Sequence, residues 1–203
     1  MSSSTTKPVP IFTIGYGQRD IDGLLADLQT YHIQFLIDVR SQPYSRYKPD
    51  FSQKALAQHL AAAGVRYIFM GDTLGGRPDD SVCYTDGKVD YDKVAQQDFY
   101  RQCIDRLQEA YGQQQRVALM CSEGKPEQCH RTRLIGRTLT NLSIPVAHID
   151  ENGRLITQED VILRLQKGQP SLFGDDFYQF TSRKKYEPEE NERAACLRLF
   201  AWP

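Results

Sequence analysis

No apolar run in this 203-residue chain approaches the ~20 residues that a membrane-spanning helix needs, so no membrane partner is expected. There is no excess of one charge either. Lys and Arg number 25 against 26 Asp and Glu, for a formal net charge of −1 and a pI near 6.4. That balance argues against a generally basic nucleic-acid binder, although it leaves room for a local patch. The first residues, MSSSTTKPVP, lack the charged and apolar regions of a secretory signal and are expected to be a flexible lead-in over 1–10. Cysteines are few for the length: Cys83, Cys103, Cys121, Cys129 and Cys196, an odd and scattered set. This excludes a disulfide framework and points to reduced thiols in a cytoplasmic protein. There is no C-x2-C pair, no G-x-G-x-x-G, no repeat and no low-complexity tract. A zinc clip and a dinucleotide site therefore both lack their usual signatures.

What is present is an alternation of short apolar runs with helical patterns. The length suits one domain. IFTIG (11–15), QFLIDVR (34–40), YIFM (67–70), RVALMC (116–121) and IPVAHI (144–149) read as strands. Between them, IDGLLADLQTYHI, FSQKALAQHLAAAGV, VAQQDFYRQCIDRLQEAYG and the stretch from about Glu127 to Leu142 read as helices. Ser52 suits an N-cap and Gly64 a C-terminal stop. The Gly- and Asp-rich segment 71–93 reads as a long surface loop, and Asn152-Gly153 as a turn. This order predicts a single α/β domain over 11–168 with a mainly parallel, Rossmann-like sheet flanked by helices. A C-terminal extension (169–203), packing on the domain or on a partner, follows it. Within the extension, the run RKKYEPEENER reads as a solvated helix face or linker.

Parallel sheets place ligands at the carboxyl ends of their strands. Applied here, that rule gathers Gly15-Tyr16-Gly17, Asp38-Val39-Arg40, Gly71-Asp72 and Cys121-Ser122-Glu123. Asp38 and Arg40 alternate around Val39 and so project to one side. Arg46 follows in a Pro-broken loop beside Tyr44 and Ser45. Guanidinium groups pair bidentately with oxyanions, which makes Arg40, Ser45 and Arg46 a phosphate or carboxylate receptor. Tyr16 and Arg77 flank the same predicted crevice.

The loop CSEGKPEQCHR (121–131) leads from a strand into a helix, where backbone N–H groups favour anions and depress thiol pKa values. In it Cys121 is a candidate nucleophile, Glu123 a proton acceptor, His130 an acid or base, and Arg131 an anion contact. Cys129 and His130 are adjacent, so their side chains are expected to diverge unless the backbone turns sharply. C-x7-C-H supplies only three donors, so no metal and no cofactor are expected. Plainer alternatives stay open: Asp38 and Arg40 pair at a strand end, and Cys121 is a small buried hydrophobe. His32, His59 and His148 fall in helix or strand patterns and read as structural.

Taken in order, Thr13-Ile14-Gly15, Asp38-Val39-Arg40, Pro43-Tyr44-Ser45-Arg46, Phe51-Ser52 with Leu56, Leu74-Gly75-Gly76 and Cys121-Ser122-Glu123 through Cys129-His130-Arg131 carry a resemblance. The chain resembles the domain of unknown function 488 family, bacterial and archaeal α/β proteins. The resemblance implies the fold and the site's position, and no reaction. A fainter similarity is to rhodanese-type sulfurtransferases and the phosphatases sharing their fold. Here, however, Cys121 and Arg131 stand ten positions apart, too far for a compact anion-cradling loop. The expectation is an enzyme or ligand-binding domain for a small phosphate-bearing or nucleotide-like anion. Thiol chemistry at Cys121 is the alternative, with a nucleic-acid-associated binding module less favoured; oligomeric state is left open.

Overall fold

Each of the five predicted strands is present in the computed structural model, which describes residues 8–165 and 181–186. Residues 1–7, 166–180 and 187–203 lie outside the described residues, and with them go Cys196, most of the lead-in and most of the C-terminal extension. In chain order come β1 (Ile11–Gly15), α1 (Ile21–Thr30), β2 (Phe35–Asp38), α2 (Gln53–Ala62) and β3 (Arg66–Phe69). The segment 71–93 is more than a loop. It forms a hairpin of β4 (Tyr84–Thr85) and β5 (Lys88–Val89), and it starts α3 (Tyr91–Ala95). The hairpin turns on Asp86-Gly87, whose φ values of 52° and 74° are the left-handed pair that a two-residue turn requires. Leu74, Cys83 and Val89 carry the segment into the core, which is why it packs despite its polar composition.

Next come α4 (Asp98–Gly112), β6 (Val117–Cys121), α5 (Arg137–Asn141), β7 (Val146–Ile149), β8 (Leu155–Thr157) and α6 (Gln158–Leu165). The helix expected from about residue 127 is broken. A 3-10 turn spans Pro126–Gln128, Cys129 is extended, and Arg131–Gly136 wind as a π-helix before α5. Ser52 does precede α2, but its hydroxyl faces the Ser45 backbone instead of capping the helix.

The α/β sheet has the order β3-β2-β6-β1-β7-β8. All its neighbours are parallel except the closing pair β7–β8, an antiparallel hairpin turned at Asn152-Gly153. Strand residues alternate between two cores, as a period of two demands. Phe12, Ile14, Leu36, Ala118 and Met120 pack with Leu24 and Leu28 of α1 and Leu56 and Leu60 of α2. Ile11, Ile37, Leu119 and Cys121 pack on the other face with Tyr100, Ile104 and Leu107 of α4 and with Leu134, Ile135 and Leu139.

The chain first runs from β1 toward β3 and then returns through β6 to β7. Because parallel crossovers keep one hand, the outward helices lie on one face and the returning ones on the other. The reversal falls where β1, β6 and β2 are neighbours. Their carboxyl ends therefore splay apart and open a crevice. Among the described residues no helix is long and apolar enough to cross a membrane.

Candidate functional site

The crevice, about 290 Å³, lies at this point of reversal. On one side stands Arg40, just past β2. Its Nε and Nη2 donate to the two carboxylate oxygens of Asp38 at 2.8 and 2.6 Å. Tyr67 donates its hydroxyl to the same carboxylate at 2.8 Å, and the Arg40 backbone N–H adds a fourth bond at 3.1 Å. Asp38 is fully buried and Arg40 is 5% exposed. Burial works against the guanidinium charge, and the hydrogen bonds and charge of Asp38 overcome it, so Arg40 is held more firmly protonated than a free arginine. Its third nitrogen, Nη1, is buried with no hydrogen-bond partner among the described residues. The guanidinium sits 5.5 Å from the centre of the Tyr16 ring, and that ring is stacked on Phe51 at 4.3 Å. Lys48 anchors the turn below by donating to the Gly17 and Arg19 carbonyls.

Cys121, at the end of β6, stands on the opposite side. The extended backbone of Cys129 (φ −115°, ψ 149°) gives way at once to helical His130 (φ −62°, ψ −23°). This is the sharp turn of the backbone without which the two neighbouring side chains would diverge. Both turn toward Cys121. His130 Nδ1 lies 3.8 Å from the Cys121 sulfur and 3.6 Å from the Cys129 sulfur, and all three groups are buried. On the far side of the ring, Nε2 is 3.1 Å from the Val39 carbonyl. A carbonyl can only accept, so Nε2 carries a proton and Nδ1 is the ring nitrogen that faces the sulfurs. A hydrogen bond from Cys129 draws the Cys121 thiol well below its ordinary range; burial opposes this, while His130 and Arg131 assist. Burial, and then Cys121, push Cys129 well above its own.

Two glycines make this approach possible. A Cβ on Gly15 would stand 1.8 Å from the Glu123 carbonyl oxygen, so the loop after β6 can cross the end of β1 only over glycine. A Cβ on Gly76 would come within 2.9 Å of His130 Nδ1, which places the Leu74-Gly75-Gly76 loop directly against the imidazole.

Of the expected site residues, Tyr16, Arg40, Arg77, Cys121, Glu123 and His130 line the crevice. Asp38 supports it from behind through Arg40. Ser45 and Arg46 do not line it: Ser45 caps the local turn by accepting from the Lys48 N–H, and Arg46 is exposed. Arg131 does not line it either. Its fully buried guanidinium donates to the Glu123 and Gly124 carbonyls, so it holds the shape of the loop from inside.

Three contributions went unforeseen in the sequence. Cys129 faces inward through the backbone break. Ser41 lines the wall and accepts from the Arg77 N–H at 2.9 Å. Ser182 and the start of the run read as solvated, Arg183–Tyr186, both within the extension expected to pack on the domain or on a partner, reach the crevice. Thr181 bridges to Asp90, Ser182 pairs with Val89, and the Tyr186 ring lies 4.0 Å under the Arg77 guanidinium. The turn pair Asp86-Gly87 was the signal that could have located the hairpin on which this segment rests.

The family model for the Domain of unknown function DUF488 matches residues 20–138, more than half of the chain. The chain belongs to this family. No curated protein and no solved structure matches it. The DUF488 match takes in both walls of the crevice, from Asp38-Arg40 to Cys121-Arg131, and ends within α5. The glycine at the end of β1 and the segment 181–186 lie beyond it, so the rim of the crevice is built partly outside the matched region.

Proposed function

We propose that the chain binds a small anionic molecule, phosphate- or carboxylate-bearing, in the crevice between the Asp38–Arg40 and Cys121–His130 strand ends. The observation that carries this reading is Arg40 Nη1, a buried and unpartnered charged donor on the crevice wall. A buried donor left without an acceptor costs about 1–3 kcal/mol, and more when charged, so an anion that satisfied it would regain that energy. The surroundings agree in sign. Arg77, Arg183 and Lys184 also line the crevice, against Glu123 as the only lining carboxylate among the described residues. Tyr16 lines the crevice beside the charge, its ring held by Phe51 and Arg40. Glu123 is exposed at the crevice and is the group placed to exchange a proton with a bound molecule, which makes an enzymatic role the natural extension. The volume suits a small molecule rather than a polymer.

The test is thermal unfolding of the full chain with inorganic phosphate, pyrophosphate or adenosine monophosphate, against chloride at matched ionic strength. A ligand at ten times its Kd stabilises by about 1.4 kcal/mol, a rise of about 3–5 °C in a chain of this size. The rise is expected in the wild type and lost in D38N/R40M, which removes the pair without leaving a lone charge. Three anions that all leave the midpoint unmoved, or a shift that persists in the double variant, would overturn the proposal.

A further inference from the structure

We infer that Cys121, Cys129 and His130 form a zinc-class metal site with three protein ligands and one coordination position open to the crevice. This goes beyond the anion reading and stands without it. The argument is geometric. With Zn–S near 2.3 Å and Zn–N near 2.05 Å at tetrahedral angles, a sulfur and a nitrogen on one ion stand about 3.6 Å apart, and two sulfurs about 3.8 Å. The observed separations from Nδ1 are 3.6 and 3.8 Å, and all three donor atoms lie within 4.8 Å of one another. The imidazole is already set as a ligand requires. Nε2 is held by the Val39 carbonyl, which leaves Nδ1 free to coordinate and fixes the ring orientation, the outer-shell bond that ligating histidines make. A Cβ at position 76 would crowd Nδ1 at 2.9 Å, and the glycine there avoids it.

Two sulfurs and one imidazole favour zinc over the oxygen-seeking cations. Structural zinc sites close with four protein ligands, whereas three ligands facing a cavity leave room for water or substrate. All three residues line the crevice that Arg40 also lines, so a molecule held there would reach the open position. The spacing C-x7-C-H hid this set, because a clip of this kind is normally read from C-x2-C pairs. Here the third donor comes from the end of β6, and the backbone break at Cys129 brings the other two to it.

The test uses the full chain, reduced and stripped with a chelator, titrated with Zn²⁺ and with Co²⁺. One equivalent is expected to bind, and the cobalt form should show thiolate-to-metal charge transfer and the intense d–d bands of a tetrahedral ion. C121S and C129S should each weaken zinc by at least about 100-fold, beyond the loss typical of an outer-shell change, while C103S leaves it unchanged. Should a cysteine variant fail to fold, iodoacetamide labelling of the wild type decides. Zinc should slow alkylation of Cys121 and Cys129 together, reversibly with chelator, and leave Cys83 and Cys103 unaffected. Octahedral cobalt spectra, binding that survives C121S, or alkylation indifferent to zinc would each overturn the assignment. Zinc retained by D38N/R40M without a phosphate response would separate this site from the anion proposal.

Discussion

Replacing Asp38 by Asn tests the site's support most directly. The carboxylate is fully buried, the Arg40 side chain is 4% exposed, and the two are joined at 2.8 and 2.6 Å. In D38N the guanidinium keeps its charge, since arginine does not deprotonate, but loses its only ion-pair partner among the described residues. Among those residues its Nη1 already has no hydrogen-bond partner. Neither group is exposed enough for solvent to screen the loss. Breaking a buried pair in this way costs about 3–5 kcal/mol, because it strands an uncompensated charge. With a urea slope of roughly 2 kcal/mol per molar, the unfolding midpoint should fall by about 2 M. D38N/R40M removes the stranded charge as well and should return to within about 1 kcal/mol of the wild type, as apolar replacement of a buried pair generally permits. Urea unfolding followed by circular dichroism measures all three proteins. If D38N loses less than about 1 kcal/mol, or the double variant is no more stable than the single, the pair is not the isolated buried unit described here.

A pH effect should arise at His148, which lies between the Thr13 hydroxyl at 2.7 Å and Gln158 Oε1 at 2.6 Å. Burial pushes its pKa down to about 3 from an ordinary value of 6.5; the bond to Gln158 resists, and the Arg131 charge adds to the fall. A folded pKa below the unfolded one means the contribution is whole above pH 6.5 and is lost on acidification, by about 1.4 kcal/mol per pH unit down to about pH 3. Between pH 7.5 and 5.0 the wild type should therefore lose about 2 kcal/mol more than H148Q in urea unfolding, and equal losses would contradict the buried neutral imidazole. Gly15→Ala places a Cβ against the Glu123 carbonyl and should cost about 1–3 kcal/mol through overpacking, while Gly64→Ala, whose Cβ meets nothing, carries only the strain of its φ of +74°. Matched unfolding curves of G15A and wild type would show that the loop yields.

Much of the framework is legible in local pattern alone. Four of the five parallel strands, β1, β2, β6 and β7, are buried almost throughout on both faces and read as continuous apolar runs, and the amphipathic helices between the strands follow from periodicity. Leu155–Thr157 escapes notice because it is a three-residue edge strand with two exposed side chains, too short to show a period. The two-residue strands of the 84–89 hairpin escape for the same reason. The position of the site is also legible, because connection order puts Gly15, Asp38 and Cys121 at strand ends.

The roles of individual side chains are not. Arg131 and Arg40 are both arginines at strand or helix ends, but one is turned inward onto two carbonyls and the other lies on the crevice wall beside Asp38. That difference depends on where the loop that carries Glu123 and Gly124 happens to cross. Cys129 and His130 could share a target only if the backbone broke between them, and φ/ψ at one residue is settled by what Pro126 and the π-helix pack against. The sheet, its two cores and the end where chemistry can occur follow from periodicity and chain order, both of which are written in the residues. Which donors converge there is a tertiary matter, because convergence depends on a few ångströms set by contacts distant along the chain.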